Sequence, residues 1–100
     1  MDYKVIYSDL AIETLDKNMS YLKNNWSTKS AVNFLDKVEK TISLIGDNSH
    51  FFSLWRETNK RKAVTVKQIT MFYEVKKETI NILLFWNNYQ NTDSIKALIK

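Results

Sequence analysis

The sequence predicts an α+β fold: an antiparallel sheet with a pair of helices packed on one face. Two adjacent stretches near the N-terminus carry apolar residues at three- and four-residue steps. From Arg61 onward the apolar period changes to two. Helical and extended segments thus come in blocks, which separates α+β from an alternating α/β architecture. The predicted order is strand, helix, helix, three strands and a short C-terminal helix, in one domain over residues 1–100.

Residues 3–8 form a β-rich run in which Tyr3, Val5 and Tyr7 share a face. Ser8 is suited to cap the first helix, and Asp9 follows where its charge meets the positive end of the helix dipole. That helix is predicted over residues 9–25 from Ala11, Leu15, Met19 and Leu22, with Ile12 beside them. Residues 24–27 break the pattern, and Ser27 can cap a second helix. Its stripe is Ala31, Phe34, Leu35, Val38, Ile42 and Ile45. Gly46, the one glycine, is expected to end it in a left-handed cap. So short a link makes the two helices an antiparallel hairpin.

Residues 47–60 lack a clean period. They read as a loop that folds Phe51, Phe52, Leu54 and Trp55 back onto the core, with residues 56–58 as a short extension of the sheet. Arg61–Val66 and residues 69–75 are the next strands, and residues 76–79 a hairpin turn without Gly or Asn. Residues 80–86 are apolar on both faces, as in a central strand covered on both sides. Strict alternation puts Ile80, Ile82, Leu84 and Trp86 on one face, Leu83 and Phe85 on the other. The chain then turns polar at Asn87. From Thr92, a candidate N-cap, Ile95, Leu98 and Ile99 form the stripe of a short helix. Phe72, Leu83 and Phe85 leave an apolar second sheet face, to be covered by that helix or by another protein.

Composition sets outer limits. With 44% apolar and 13% aromatic residues the chain folds rather than staying disordered. It has no cysteine, which excludes disulfides and thiolate zinc sites. No N-terminal apolar run of signal-peptide length and no uninterrupted apolar stretch of about 18 residues is present, so a soluble cytoplasmic protein is expected. A single glycine excludes phosphate-cradling loops, and the lone His50 has no partner for metal binding or catalysis, so no metal or cofactor is expected. Trp26, Trp55 and Trp86 read as structural anchors, and Tyr73 as core.

The formal charge of +4 is unevenly spread. Residues 1–50 hold six lysines against seven acids, net −1; residues 51–100 hold nine basic residues against four acids, net +5. Arg56, Lys60, Arg61, Lys62 and Lys67 therefore form a candidate patch for an acidic partner or nucleic acid.

The order of these features resembles the RelE/ParE toxin superfamily of bacterial type II toxin–antitoxin modules, also called plasmid stabilisation proteins. The residues that carry the likeness are the opening strand at 3–8 with Ala11, the Ala31, Phe34 and Leu35 stripe, Arg61-Lys62 with Lys67, and residues 85–91. The resemblance implies growth inhibition by a small toxin, neutralised by a cognate antitoxin encoded beside it. Some members block DNA gyrase; others cleave messenger RNA on the ribosome. For a ribonuclease the resemblance points to Arg61, Lys62 and Tyr89 as catalytic groups near the scissile phosphate. For the antitoxin it points to the apolar face and C-terminal region: Phe72, Leu83, Phe85, Ile95 and Leu98. The chain departs from the ribonuclease pattern at Thr70 and Tyr89, where arginine is common in the family, and at Asn87 and Thr92. A phenol cannot replace the cationic fork of a guanidinium toward phosphate. Gyrase inhibition is the favoured expectation, ahead of messenger-RNA cleavage and of a non-toxic relative that keeps only antitoxin binding.

Overall fold

A computed structural model describes residues 3–99. The elements are β1 (Lys4–Tyr7), α1 (Asp9–Asn25), α2 (Thr28–Asp47), β2 (Arg61–Val66), β3 (Ile69–Lys76), β4 (Thr79–Asn87), a 3₁₀ turn (Thr92–Ser94) and α3 (Ile95–Leu98). The four strands form one sheet in the order β1-β4-β3-β2. The C-terminal meander is antiparallel, as expected, but β1 lies parallel to β4, so the sheet is mixed. The helical hairpin between β1 and β2 carries the chain to the far edge of the sheet.

Local chemistry explains the helix boundaries. Ser8 and Ser27 accept hydrogen bonds from the backbone N–H of Ala11 and Ser30, each satisfying a donor that the first helical turn leaves free. Gly46 does not end α2 as expected. The helix runs through it to Asp47 and closes on Asn48, whose extended backbone still donates to Leu44. No glycine has positive φ. The 3₁₀ turn that leads into α3 is capped by the side chain of Asn91, which accepts from the Asp93 N–H, and not by Thr92; α3 itself has no side-chain cap.

The helices cover one face of the sheet. Ala11, Leu22, Ala31, Phe34, Val38 and Ile45 pack there on Ala63, Met71, Tyr73, Ile80, Ile82 and Phe85. Phe34 meets the Phe85 ring edge-on at 5.9 Å. Leu35, expected in this stripe, is 39% exposed. A smaller core lies on the opposite face: Trp55, Phe72, Leu84, Trp86, Ile95 and Ile99. The loop before β2 and the C-terminal helix therefore both close over the second face. Residues 56–58 do not extend the sheet; only Leu54 makes an isolated bridge, to Arg61.

One irregularity reassigns the faces of β4. Phe72 pairs with Leu84, but Tyr73 pairs with Ile82, so Leu83 is an extra residue opposite no partner. Such a bulge shifts the side-chain alternation by one. Ile80 and Ile82 face the helices, as does Phe85, whereas Leu84 and Trp86 face the second core. The expected grouping of Ile80 and Ile82 with Leu84 and Trp86 is thereby corrected, as is the placing of Phe85 on the open face.

The bulge lies where β1 ends, and α1 takes over the hydrogen bonds of the uncovered strand. The Ser8 hydroxyl donates to the Leu83 carbonyl at 3.1 Å. The Phe85 N–H donates to the Thr14 hydroxyl oxygen at 3.0 Å. Asn18 Nδ2 donates to the Phe85 carbonyl at 2.9 Å. Buried backbone polar groups need partners, and three side chains of α1 and its cap supply them. Among the described residues no helix is long and apolar enough to cross a membrane.

Candidate partner-binding site

The sheet sends neighbouring residues of a strand to opposite faces, and this divides the basic patch. Arg61 pairs with Tyr73 and Lys62 with Phe72. Arg61 therefore lies on the helix side. Its Nη1 donates to the Phe52 carbonyl at 2.7 Å, pinning the loop before β2. Lys62 lies on the second face and is exposed.

Beside Lys62 is a cleft of about 290 Å³. Trp55, Phe72 and Ile95 form its buried floor, with Leu54, Arg56 and Lys62 at its rim and Thr70, Asn88 and Thr92 at its polar end. Arg56 has φ of 52°, a left-handed conformation that a residue with a Cβ rarely adopts. In that conformation its guanidinium lies 5.1 Å from the centre of the Trp55 ring. Trp55 is held beneath by an edge-on contact with Phe72 at 5.3 Å. The Thr70 hydroxyl donates to Asn88 Oδ1 at 2.8 Å, and Asn88 Nδ2 donates to the Lys67 carbonyl at 3.0 Å. These bonds join the β2–β3 turn to the end of β4.

The other expected site residues scatter. Lys60 lies outside the cleft and its ammonium donates to Asn59. Lys67 is in the β2–β3 turn and borders a different hollow, against α2. Tyr89 is 62% exposed in the loop after β4 and does not line the cleft. Of the residues expected to meet an antitoxin, Phe72 and Ile95 are buried in the second core, Leu83 is half-buried at the bulge and Leu98 is exposed. Phe85 is in the helix-side core, stacked on Tyr7 at 6.4 Å. Trp55, expected to be a structural anchor, also floors the cleft, and Asn88, from the polar run after β4, lines it. That adjacent strand residues diverge was the available signal for separating Arg61 from Lys62.

Two tyrosines are perturbed, both on the helix side. Burial pushes the Tyr73 phenol up to about 12, against a smaller opposing pull from Arg61. Burial, then the negative charge of Glu39, raises Tyr7. Neither lines the cleft. Among the described residues no three metal-ligating side chains converge.

A parallel N-terminal strand, a helical hairpin and an antiparallel meander, with a C-terminal segment closing the second face, make up the fold. Solved structures share it. A chain of the chromosomal ParDE TA system from P. aeruginosa matches with a TM-score of 0.68 at 11% identity, over 85% of this chain and 95% of that one. The YoeB–YefM complex from Staphylococcus aureus matches at 0.60 and 14% identity, over 89% and 100%. The YoeB dimer from the same organism matches at 0.58 and 15%, over 82% and 92%. No protein-family model and no curated protein matches the sequence.

Proposed function

We propose that this protein is the toxin of a type II toxin–antitoxin module, that it acts by binding DNA gyrase, and that a cognate antitoxin holds it inactive. The shared fold supports the toxin reading. The observation that carries binding over RNA cleavage is the make-up of the cleft: Arg56 and Lys62 are its ionisable lining, and no Asp, Glu, His or Tyr lines it. Attack by a ribose 2′-hydroxyl needs a group that takes a proton near neutral pH and donors that converge on the phosphate. Arg61 is on the other side of the sheet, and Tyr89 is outside the cleft.

Expression with and without the neighbouring gene tests the module. Growth should stop without the neighbouring gene and resume with it. The purified protein should inhibit gyrase supercoiling, and unchanged supercoiling at micromolar protein removes gyrase as the target. New transcript 5′ ends after induction would replace binding with messenger-RNA cleavage. Unimpaired growth would leave a non-toxic relative.

A further inference from the structure

The cleft between Trp55-Arg56 and β2 has an apolar floor and two cations at its rim, with no acidic residue in its lining. Among the described residues neither Arg56 nor Lys62 is in an ion pair; the two ion pairs are Lys40–Asp36 and Lys76–Glu74. The Arg56 guanidinium lies over the Trp55 ring, 5.1 Å from its centre, and a guanidinium can take a carboxylate through two parallel hydrogen bonds. The left-handed backbone at Arg56 holds that arrangement at the expense of local strain. Leu54, 49% exposed on the same rim, offers an apolar contact alongside.

We infer that this cleft seats a carboxylate side chain of a protein partner, with an apolar neighbour of that residue resting on Leu54. Charge complementarity names the occupant. Nucleic-acid interfaces are broad, strongly positive surfaces that follow a phosphate backbone. Here two cations line one small hollow, while Lys60 and Lys67 lie outside it. The partner is an acidic-and-apolar segment of the antitoxin, so the inference deepens the reading of the chain as an antitoxin-neutralised toxin.

The test uses the full chain and small probes in an NMR titration of the backbone amides. The probes are an acetylated and amidated leucyl-glutamate dipeptide, its glutamine counterpart, inorganic phosphate and a short single-stranded oligonucleotide. The glutamate dipeptide should perturb Arg56, Lys62 and Thr70 saturably, with a Kd on the order of millimolar, as befits two charge-assisted bonds. It should bind at least about fivefold more tightly than the glutamine form, and the gain should vanish in Arg56→Gln/Lys62→Gln. An equal response to the glutamine form, shifts confined to other residues, or no saturable shift overturns the inference. So does tighter binding of phosphate or the oligonucleotide at the same amides, which would make the cleft a phosphate site. The growth assay is separate: failure to arrest growth ends the toxin reading without touching the titration, and failure of the titration ends this inference whatever growth does.

Discussion

Asn18 on α1 donates its Nδ2 hydrogen to the carbonyl of Phe85 on β4, across 67 positions of sequence. The same amide also donates to the Thr14 carbonyl one turn back along the helix, at 2.8 Å. Asn18 is buried, and the strand edge it serves is the part of β4 that β1 does not reach. Asn18→Ala should cost about 1–3 kcal/mol, the penalty for a buried acceptor left unsatisfied. In a domain of this size each kcal/mol lowers the melting temperature by about 4–8 °C. Thr14→Val, which strands the Phe85 N–H instead, should fall in the same range. Urea denaturation of both variants is the check, and unchanged midpoints would show that water replaces these bonds.

Arg61 and Lys62 should separate on mutation. Arg61→Ala breaks the bond to the Phe52 carbonyl and should destabilise by about 1.5–3 kcal/mol, as for hydrogen bonds made by charged groups. Lys62→Ala removes an exposed side chain and should stay within about 0.5 kcal/mol. Antitoxin binding should show the reverse order, with Lys62→Ala the more damaging when assayed on folded protein. Equal stability losses in the two variants would contradict the assignment of the residues to opposite faces.

Gly46→Ala should stabilise. The position is helical, and a Cβ there meets no atom within 4 Å. Alanine removes conformational freedom from the unfolded chain and should add about 0.4–1 kcal/mol. A loss of stability in thermal denaturation would mean that the last turn of α2 is not helical in solution.

Alkaline pH should weaken the fold through Tyr73. Its phenol is raised from 10.0 to about 12 in the folded protein. Between those values the unfolded chain has lost the proton while the folded one keeps it, so ionisation favours unfolding. Below pH 10 the group is neutral in both states and contributes no pH dependence. The stability of wild type relative to Tyr73→Phe should therefore fall as pH rises from about 10 to about 12. Stability curves that stay parallel over that window would refute the burial effect. The Tyr73 hydroxyl is buried without a hydrogen-bond partner among the described residues, so Tyr73→Phe should not destabilise at neutral pH.

Ile95 secures the C-terminal helix on the second face, where it is 2% exposed among Trp55, Leu84 and Trp86. Four helical residues cannot hold themselves together in water. Ile95→Asp should undock the segment and expose Trp86. The readout is a red shift in tryptophan emission and increased binding of a hydrophobic dye. Unchanged emission would mean that other contacts dock the segment.

Much of the architecture was legible because the signals were local. The caps at Ser8 and Ser27 and the helical stripes were readable from residues within one or two turns of each other. The edges of Arg61–Val66 followed from the onset of alternation. Gly46 was misread because glycine marks helix ends only as a preference, and here tertiary packing of Ile45 carries α2 past it. The site was less legible. Its strongest feature, Arg56 on Trp55, depends on a backbone conformation that no residue-type rule assigns to arginine.

The sequence by itself determined the helical hairpin, the three-stranded meander, the burial of β4 on both faces and the basic bias of the second half. These follow from periodicity and charge, which are written residue by residue. Only the tertiary structure decided which side of the sheet each residue of β4 serves. Residues 80–86 are apolar except at Asn81, so no polar position after it marks where the alternation shifts. The bulge at Leu83 inserts one residue there, and its hydrogen bonds are completed by Ser8, Thr14 and Asn18 from a distant part of the chain. A period of two cannot register an insertion whose support comes from elsewhere in sequence. For that reason Phe85 belongs to the helices, and Leu84 and Trp86 to the second core beneath the cleft.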